Sequence, residues 1–429
     1  MQIKVFRKRS FLNFSWLLLG RIYSMAIGIL LNVLMVRYLG PERNGVYNYA
    51  VSYVAVFNGL SLMGIENVIT KEFKKGIRDT GDIMVSSILI RCMGCLLSFG
   101  SLMISFCFFQ MEASRIWMIL ISALPCIANI FSGVTGWFYA RSLTKFIAIA
   151  QAIAHTVCVL LKIILVLTGG SIQSFLVATA AETFIVLLVE WLCFFKRIKI
   201  SHEFKWATCS YLLIQGLPII IGSIAHLIFM KVDQLMIGEI LGDYELGIYS
   251  VAVRIAELWY FVPTMIVSVL LPYLVELKEK DYEAFMCRMQ KYMSMLVMLG
   301  YLSGFLTTLA AKPLIIVLYG REYVSAAPIL CVYIWAGVFI NMSELRGSYF
   351  VIMEYTKYSL ICNVVGAITN IAVNVLLIPI MGSIGAAIAT LISYALYAYI
   401  SSYFIKDMRS MGEIQTRALL LAGLRGERK

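Results

Sequence analysis

Long apolar stretches separated by short polar segments run through the whole chain, and their spacing predicts its architecture. A transmembrane helix needs about 20 consecutive, mostly apolar residues. Twelve stretches meet that requirement, at approximately 11–37, 46–69, 83–109, 115–138, 146–168, 172–195, 208–240, 246–275, 289–311, 324–350, 358–379 and 383–405. No connecting segment is long enough to hold a soluble domain. The pattern therefore predicts an all-α integral membrane protein with twelve transmembrane helices.

A polar motif between the first two spans recurs between spans 7 and 8. The first copy reads LGPERNGVY from Leu39 to Tyr47, and the second reads LGDYELGIY from Leu241 to Tyr249. Each copy follows the first span of a six-span half. Two halves in the same orientation predict two six-helix lobes related by a pseudo-two-fold axis along the membrane normal, as in alternating-access transporters. We expect lobes at 1–200 and 201–410, followed by a cytoplasmic tail at 411–429.

The distribution of Lys and Arg predicts the orientation of the spans. Cytoplasmic loops carry an excess of these residues. If the amino terminus lies inside, only five of the 36 Lys and Arg residues fall in outside loops, whereas most of the others lie in inside segments. The five are Arg37, Arg43, Arg115, Lys312 and Arg321. This bias predicts that both termini are cytoplasmic. The basic amino-terminal segment precedes an apolar run too long for a signal peptide, so we expect a retained span.

Composition excludes several classes of protein. The chain is 61% hydrophobic and only 14% charged, with a mean hydropathy of +0.86. Soluble domains are closer to half apolar and a quarter charged. The net charge of +12 is dispersed in short clusters between apolar runs, which favours a cytoplasmic membrane surface over nucleic acid. Neither a phosphate-binding Gly-rich loop nor a His/Cys metal motif occurs, and Cys92-x-x-Cys95 has no second pair.

Ionisable residues inside the predicted spans indicate a polar interior. Each costs about 2.5–3.5 kcal/mol at a helix centre on insertion scales. Such residues are tolerated where they face water, a partner or a ligand. Arg21, Arg91 and Lys162 have no acid three or four residues away, so we interpret them as the unpaired cations of the first half. A cavity bearing them would attract an anion, and arginine makes bidentate contacts to phosphate oxygens.

The second half contains a mixed set of charges. Arg254 and Glu257 are three residues apart and can pair on one helix face. Lys231 and Asp233 project to different faces and cannot neutralise each other well. Either Asp233 pairs with Arg254 on the adjacent span, or one of the two residues faces the cavity. His226 in the same helix is either a proton relay or an ordinary packing residue. Glu66 and Glu190 lie near the cytoplasmic interface, where we expect them to reach lipid headgroups.

Five segments resemble one family of membrane proteins. They are, in chain order, LMVRYLGPERNGVYNYA, GWFYARSLTKF, KVDQLMIGEILGDYELGIYSVAVRIAELWYFVPT, LYGREYVSAAPIL and NIAVNVLLIPIMGSIGAAIATLISY. In this order and at these topological positions, they resemble the Wzx-type polysaccharide flippases of the MATE-like exporter superfamily. The resemblance extends over nearly the whole chain.

The resemblance implies a function that composition alone does not. It implies translocation of an undecaprenyl-diphosphate-linked oligosaccharide across the bacterial inner or plasma membrane, for O-antigen, lipopolysaccharide or capsule. It also implies a cationic cavity between two lobes, alternating access and ion coupling. A polysaccharide polymerase and a chain-length regulator would be further partners, besides membrane lipids. The expected protein is not an enzyme, needs no cofactor other than H⁺ or Na⁺, and binds no nucleic acid.

Candidate residues for these roles follow from span position. We predict that Arg21, Arg91, Lys162, Lys231 and Arg254 line the cationic cavity, and that Asp233, Glu182 and Glu257 bind the coupling ion. The alternative is a MATE-like ion-coupled exporter of drugs or metabolites, which would need an acidic and aromatic cavity. A membrane glycosyltransferase or polymerase is disfavoured by the short outside loops. A non-transporting scaffold would have no use for the buried charges.

Overall fold

The computed structural model describes a chain built from helices. It covers the backbone of residues 2–109, 111–198 and 204–422, with the side chains of those ranges except 2–26, 109, 218 and 356. The α-helices are α1 (Gln2–Leu62), α2 (Glu66–Lys75), α3 (Thr80–Phe109), α4 (Ala113–Ser122), α5 (Leu124–Ala128), α6 (Gly133–Ala140), α7 (Thr144–Thr168), α8 (Ile172–Phe195), α9 (Trp206–Ile240), α10 (Asp243–Glu257), α11 (Phe261–Lys280), α12 (Tyr282–Tyr319), α13 (Ala326–Tyr333), α14 (Ala336–Ile352), α15 (Thr356–Ala395), α16 (Ser401–Phe404) and α17 (Arg409–Leu419). Within the described ranges, no strand interrupts them, and the all-α prediction is confirmed.

The number of membrane crossings agrees with the sequence pattern. Among the described residues, ten helical stretches are long and apolar enough to cross a membrane. Two of them, Ile27–Lys75 and Lys357–Phe404, contain 49 and 48 residues, which is sufficient for two crossings each. Non-helical backbone angles at Gly40 interrupt the first, and those at Gly382 interrupt the second. Counting each interrupted stretch as two spans gives the predicted twelve.

The surface of these helices is suited to lipid. Large apolar side chains are exposed along them, among them Leu96, Phe108, Leu167, Ile380 and Phe404. Soluble monomers rarely expose contiguous apolar patches of more than a few hundred Å². In hydrocarbon the same side chains are in their preferred solvent, and helices satisfy their own backbone hydrogen bonds. The protein is therefore a multi-pass membrane protein.

The described chain divides into two compact units. Unit 1 consists of Met1–Leu39 and Ala50–Leu227, and unit 2 consists of Gly40–Tyr49 and Ile228–Lys429. In unit 1, α7 and α8 form a helical hairpin whose turn places Gly169 in the left-handed region at the end of α7. Ser171 then caps α8 by accepting a hydrogen bond from the Ser174 amide at 3.3 Å. The lobe boundary at residue 200 stays a prediction.

The core of unit 2 includes the described part of the predicted tail. Buried side chains of α12 and α14 pack with Met411, Ile414 and Ala418 of α17. The Gln415 side chain, on the same helix, donates to the Ala398 carbonyl oxygen at 2.7 Å. Up to residue 422, this segment is thus part of the folded unit.

The two copies of the repeated motif adopt the same backbone conformation and cross each other inside unit 2. Gly40 has φ 71° and ψ 172°, and Gly242 has φ 90° and ψ 175°, a region that favours glycine. The crossing is reciprocal. A Cβ atom at Gly45 would lie 1.7 Å from the Asp243 carbonyl oxygen, and one at Gly247 would lie 1.8 Å from the Pro41 carbonyl oxygen. The motif therefore repeats because each copy makes the same close backbone contact with the other.

A polar clamp accompanies this crossing. The Asn44 side-chain amide donates to the Gly247 carbonyl oxygen and to the Ser250 hydroxyl oxygen, both at 3.1 Å. Asn44 is fully buried, so these bonds form without competition from water. Residues 40–49 are thereby fixed against the start of α10.

The crossing predicts the effect of one added methyl group. Gly247→Ala should destabilise the protein by about 3 kcal/mol or prevent its accumulation, because the neighbouring atom belongs to a backbone that cannot rotate away. Gly100→Ala in α3 is the matched control, since no atom lies within 4 Å of the Cβ position there. Thermal unfolding of the two detergent-purified variants measures the difference. Equal stability of the two would contradict the crossing.

Candidate functional site

Asp233 is buried inside unit 2 and held by neutral hydrogen-bond donors. It lies on α9, where its Oδ1 atom accepts from the Gln234 backbone amide at 2.7 Å. Its Oδ2 atom accepts a short hydrogen bond from the hydroxyl of Tyr249 on α10. Tyr249 follows Gly247 by two residues, so the backbone crossing also orders this donor. Neutral donors stabilise a carboxylate without cancelling its charge, which makes the site attractive to a proton or a cation.

Aromatic rings shield Asp233 from solvent. The ring of Tyr333 on α13 meets that of Tyr249 edge-on, with 6.1 Å between the centroids. Tyr394 on α15 packs 4.6 Å from Phe229, and its hydroxyl contacts the Met230 sulfur at 2.8 Å. These side chains come from helices far apart in sequence, so the enclosure was not predictable from the pattern of charges.

Lys231 forms a loose ion pair that sequence spacing did not predict. Its Nζ atom lies 3.9 Å from Oε1 of Glu257. Both side chains are about a quarter exposed, at 25% and 24%. The pair of Arg254 with Glu257 that their spacing allows is absent from the ion pairs of the described residues, and Lys231 of α9 approaches that carboxylate instead. The expected contact of Arg254 with Asp233 is wrong, since Asp233 is satisfied by Tyr249 and the Gln234 amide. Arg254 itself is exposed on α10 and acts electrostatically on Tyr319.

Arg91 is fully buried in unit 1 and tightly partnered. Its Nη2 atom lies 2.5 Å from Oε2 of Glu66, and Nη1 donates to the Asn129 carbonyl oxygen at 3.2 Å and to the Ser132 hydroxyl. The interpretation of Arg91 as an unpaired cation is therefore wrong. Glu66 is 25 positions away in sequence on a different helix, so a search at helical spacing could not find it.

Glu190 is also placed differently from the expectation. It was expected to reach headgroups, but its side chain is buried and accepts a hydrogen bond from Thr135 at 2.6 Å. The expectation failed because α6 packs against the carboxyl-terminal end of α8. A cavity of about 180 Å³ also lies in unit 1, lined by Asn58, Ser122, Thr179 and apolar side chains. None of the predicted site residues whose side chains are described lines it.

Glu182 and Lys162 lie near each other in unit 1, together with a histidine that the sequence analysis did not select. His155 of α7 contacts Oε1 of Glu182 through its Nδ1 atom at 3.0 Å. Lys162, two turns further along α7, is buried and attracts the same carboxylate through space. The relevant signal was the seven-residue spacing of His155 and Lys162, which places both on one face of a helix. The side chain of Arg21 lies outside the described residues.

Five of the candidate residues thus form one group in each unit, whereas Arg91 and Arg254 stand apart from them. Unit 1 contains Lys162 and Glu182 together, with Arg91 in a separate ion pair. Unit 2 contains Lys231 with Glu257, beside Asp233. Their assignment to a substrate cavity or an ion site stays a prediction.

Comparison with known proteins gives the family. The family described as polysaccharide biosynthesis protein matches residues 11–278, and the MatE family matches residues 218–376. The first match covers more than half of the chain. This chain belongs to the polysaccharide biosynthesis protein family. The resemblance to Wzx-type flippases of the MATE-like superfamily is thereby confirmed.

Similar proteins agree with that assignment. The capsular polysaccharide biosynthesis protein CapF of Staphylococcus aureus is 23% identical over 404 residues, covering 91% of this chain and 98% of CapF. The lipid II flippase MurJ in an inward closed conformation superposes with a TM-score of 0.71 at 15% identity, covering 96% of this chain and 93% of MurJ. An inward-facing multidrug resistance MATE transporter gives 0.68 at 15% identity, covering 94% and 96%. The structural neighbours establish the fold that this polysaccharide-family chain adopts.

The contacts of Arg91 predict a structural role that can be measured. Glu66→Ala should destabilise the protein by about 3 kcal/mol, because it leaves a buried guanidinium without its counter-ion. Adding Arg91→Met should recover most of that loss, since both charges are then gone. Glu279→Ala, at an exposed acid, is the control. Thermal unfolding of the purified wild type, the two single variants at Glu66 and Glu279 and the double variant measures these differences. If the double variant were no more stable than Glu66→Ala, the ion pair would be excluded.

Proposed function

We propose that this protein flips undecaprenyl-diphosphate-linked oligosaccharide units from the cytoplasmic to the outer leaflet of the bacterial inner or plasma membrane. The units would feed capsule, O-antigen or another surface polysaccharide. The observation that carries the proposal is the family membership over residues 11–278 in a chain whose fold matches a lipid II flippase over 96% of its length. The full-length similarity to a capsular polysaccharide biosynthesis protein adds support.

The chemistry of such a substrate explains the buried cations. A lipid diphosphate is anionic and its sugars are strongly hydrated, so neither crosses hydrocarbon unaided. Lys162 and Lys231 lie in the spans with incomplete or loose pairing, and an ammonium held 3.9 Å from a carboxylate can exchange it for phosphate oxygens. Arg254 is exposed on α10. Arg21 stays a candidate for the cationic cavity. Arg91 already holds Glu66, so we assign it to positioning α2 and α3.

Alternating access would move the diphosphate while the polyprenyl tail remains in lipid. With both termini in the cytoplasm, as the Lys and Arg distribution predicts, outward movement of an anion is favoured by an inside-negative potential. The gain is about 2.3 kcal/mol per charge per 100 mV. Coupling to H⁺ or Na⁺ at Asp233, Glu182 or Glu257 would supply the remaining directionality. A polymerase and a chain-length regulator would act on the product.

A MATE-like exporter of drugs or metabolites is the alternative. The match of residues 218–376 to the MatE family and the similarity to a multidrug transporter favour it. An organic cation would be attracted to an acidic and aromatic cavity, and Asp233 with its tyrosines has that composition. The burial of Asp233 behind Tyr249 argues for an ion-sized ligand there instead.

Loss of the protein in its native strain should cause the lipid-linked unit to accumulate and surface polysaccharide to disappear. The restored wild-type gene should reverse both effects. Lys231→Gln should restore about tenfold less polysaccharide at equal membrane level, because it removes one loosely held cation. Lys280→Gln, which breaks an exposed pair with Glu276, is the control and should restore it fully.

Two results would contradict this proposal. If surface polysaccharide persisted without the gene and no lipid-linked unit accumulated, the flippase function would be wrong. Drug efflux measured in the same strains would then test the exporter function. If Lys231→Gln and Lys280→Gln restored equally, flipping would stand and Lys231 would have no part in it.

A further inference from the structure

A histidine, a glutamate and a lysine form a polar group between α7 and α8 inside unit 1. The Nδ1 atom of His155 lies 3.0 Å from Oε1 of Glu182, which joins the two helices. Lys162 is buried on α7 and attracts the Glu182 carboxylate without reaching ion-pair distance. The carboxylate therefore has two potential counter-ions, one in direct contact and one further away.

The outer nitrogen of His155 is placed to accept a proton. Nε2 is buried and, among the described residues, has no hydrogen-bond partner. Gly28 of α1 lies next to the ring, where a Cβ atom would be in ordinary van der Waals contact with Nε2, at 3.5 Å. The His155 side chain is 16% exposed, whereas that of Glu182 is 36% exposed. In a neutral imidazole whose Nδ1–H group donates a hydrogen bond to Glu182, the Nε2 atom carries a lone pair that can accept a proton.

The charged and titratable groups around this ring are few. Helix α7 itself contributes Cys158 and Lys162, both within electrostatic reach of Glu182. Helix α8 contributes Glu182, and α1 presents Gly28 in its described part. When His155 is neutral, Glu182 and Lys162 together carry no net charge. When His155 is protonated, the three side chains together carry a net charge of one positive unit.

We propose that His155 is a proton-binding site that decides whether Lys162 is available to bind an anion. Among the described side chains, Lys162 is the cation that balances Glu182 when His155 is neutral. A proton that binds the Nε2 lone pair converts the ring to imidazolium, which neutralises Glu182 in direct contact while Nδ1–H stays in place. The Lys162 ammonium then no longer has to balance Glu182 through space and is available to phosphate oxygens. Imidazole is the side chain whose charge commonly changes near neutral pH.

This proposal rests on the proposed function and defines its coupling. The coupling ion is the proton, and it binds to His155 rather than to Glu182. After protonation, the Glu182 carboxylate is balanced by His155 instead of by Lys162. By thermodynamic linkage, a proton that favours anion binding must itself be bound more tightly when the anion is present. Binding of the lipid diphosphate near neutral pH should therefore take up a proton.

The first test measures binding of undecaprenyl diphosphate by the full chain in lipid nanodiscs at pH 6 and pH 8. Relative to His155→Gln, the wild type should bind about tenfold more tightly at pH 6 and equally at pH 8. Glu182→Gln should bind the diphosphate tightly at both pH values, because Lys162 then has no carboxylate to balance. Lys162→Gln should bind it weakly at both pH values, because the cation itself is gone. His226→Gln is the matched control. Ionisation of the ligand itself is common to all variants.

The second test needs no substrate. The chain contains three histidines, so ¹³C labelling of histidine gives three NMR signals, and His155→Gln identifies the one that matters. That signal should move between pH 8 and pH 5.5 in the ligand-free protein. A signal that does not move overturns the proton site, whatever the substrate is.

The two tests separate this proposal from the proposed function. If the signal moves but His155→Gln retains the pH dependence of binding, the exchange of counter-ions is wrong and the flippase function is unaffected. If the wild type binds no undecaprenyl diphosphate at either pH, the proposed substrate is wrong, and the link from His155 to anion binding falls with it. The proposal is supported if the His155 signal moves with pH and the His155→Gln variant loses the pH dependence of undecaprenyl diphosphate binding.

Discussion

A charged side chain inside a membrane protein has to be balanced, and this requirement accounts for much of what the structure contains. Arg91 is held by a glutamate, a hydroxyl and a backbone carbonyl. Arg346 is also fully buried; it donates to Ser401 at 2.7 Å and lies 4.8 Å from the ring centroid of Tyr397. Asp233 takes its donors from a tyrosine and a backbone amide. In each case the partner comes from another element or from the backbone, so balancing charge also fixes how helices pack.

Sequence predicted the fold well because the fold depends on local information. The apolar stretches follow from bilayer thickness. The two glycine motifs mark the same turn twice because Gly40 and Gly242 adopt a positive φ, whereas Gly45 and Gly247 leave no room for a Cβ atom. The reciprocal contact of Gly45 and Gly247 was not predictable, although the repeat itself was. A repeat shows that two segments share a structure, whereas their mutual contact depends on packing that no spacing encodes.

Sequence predicted the partners of the charged residues poorly for the same reason. Helical spacing suggested Arg254 for Glu257, yet Lys231 on α9 takes that carboxylate. It suggested no partner for Arg91, because Glu66 lies on another helix. It selected Glu182 and Lys162 for different roles, whereas in the structure Glu182 contacts His155 and is also attracted by Lys162. The apolar pattern sufficed to identify which ionisable residues lie in apolar helical stretches, but their burial and their charge partners required the tertiary structure.

The arginines and lysines of the spans consequently divide by how firmly they are held. Arg91 is fully buried and its guanidinium group makes several fixed contacts, which suits a planar group that holds its charge at any pH. Arg346 is equally buried, with one hydrogen bond to Ser401 and the Tyr397 ring beside it. Lys162 and Lys231 each face a carboxylate without a tight contact. A cation that must bind an anion and later release it cannot have a permanent tight partner, since breaking a buried pair costs about 3–5 kcal/mol. The loosely balanced lysines are therefore better suited to binding and release than the arginines, even though arginine is the stronger ligand for phosphate.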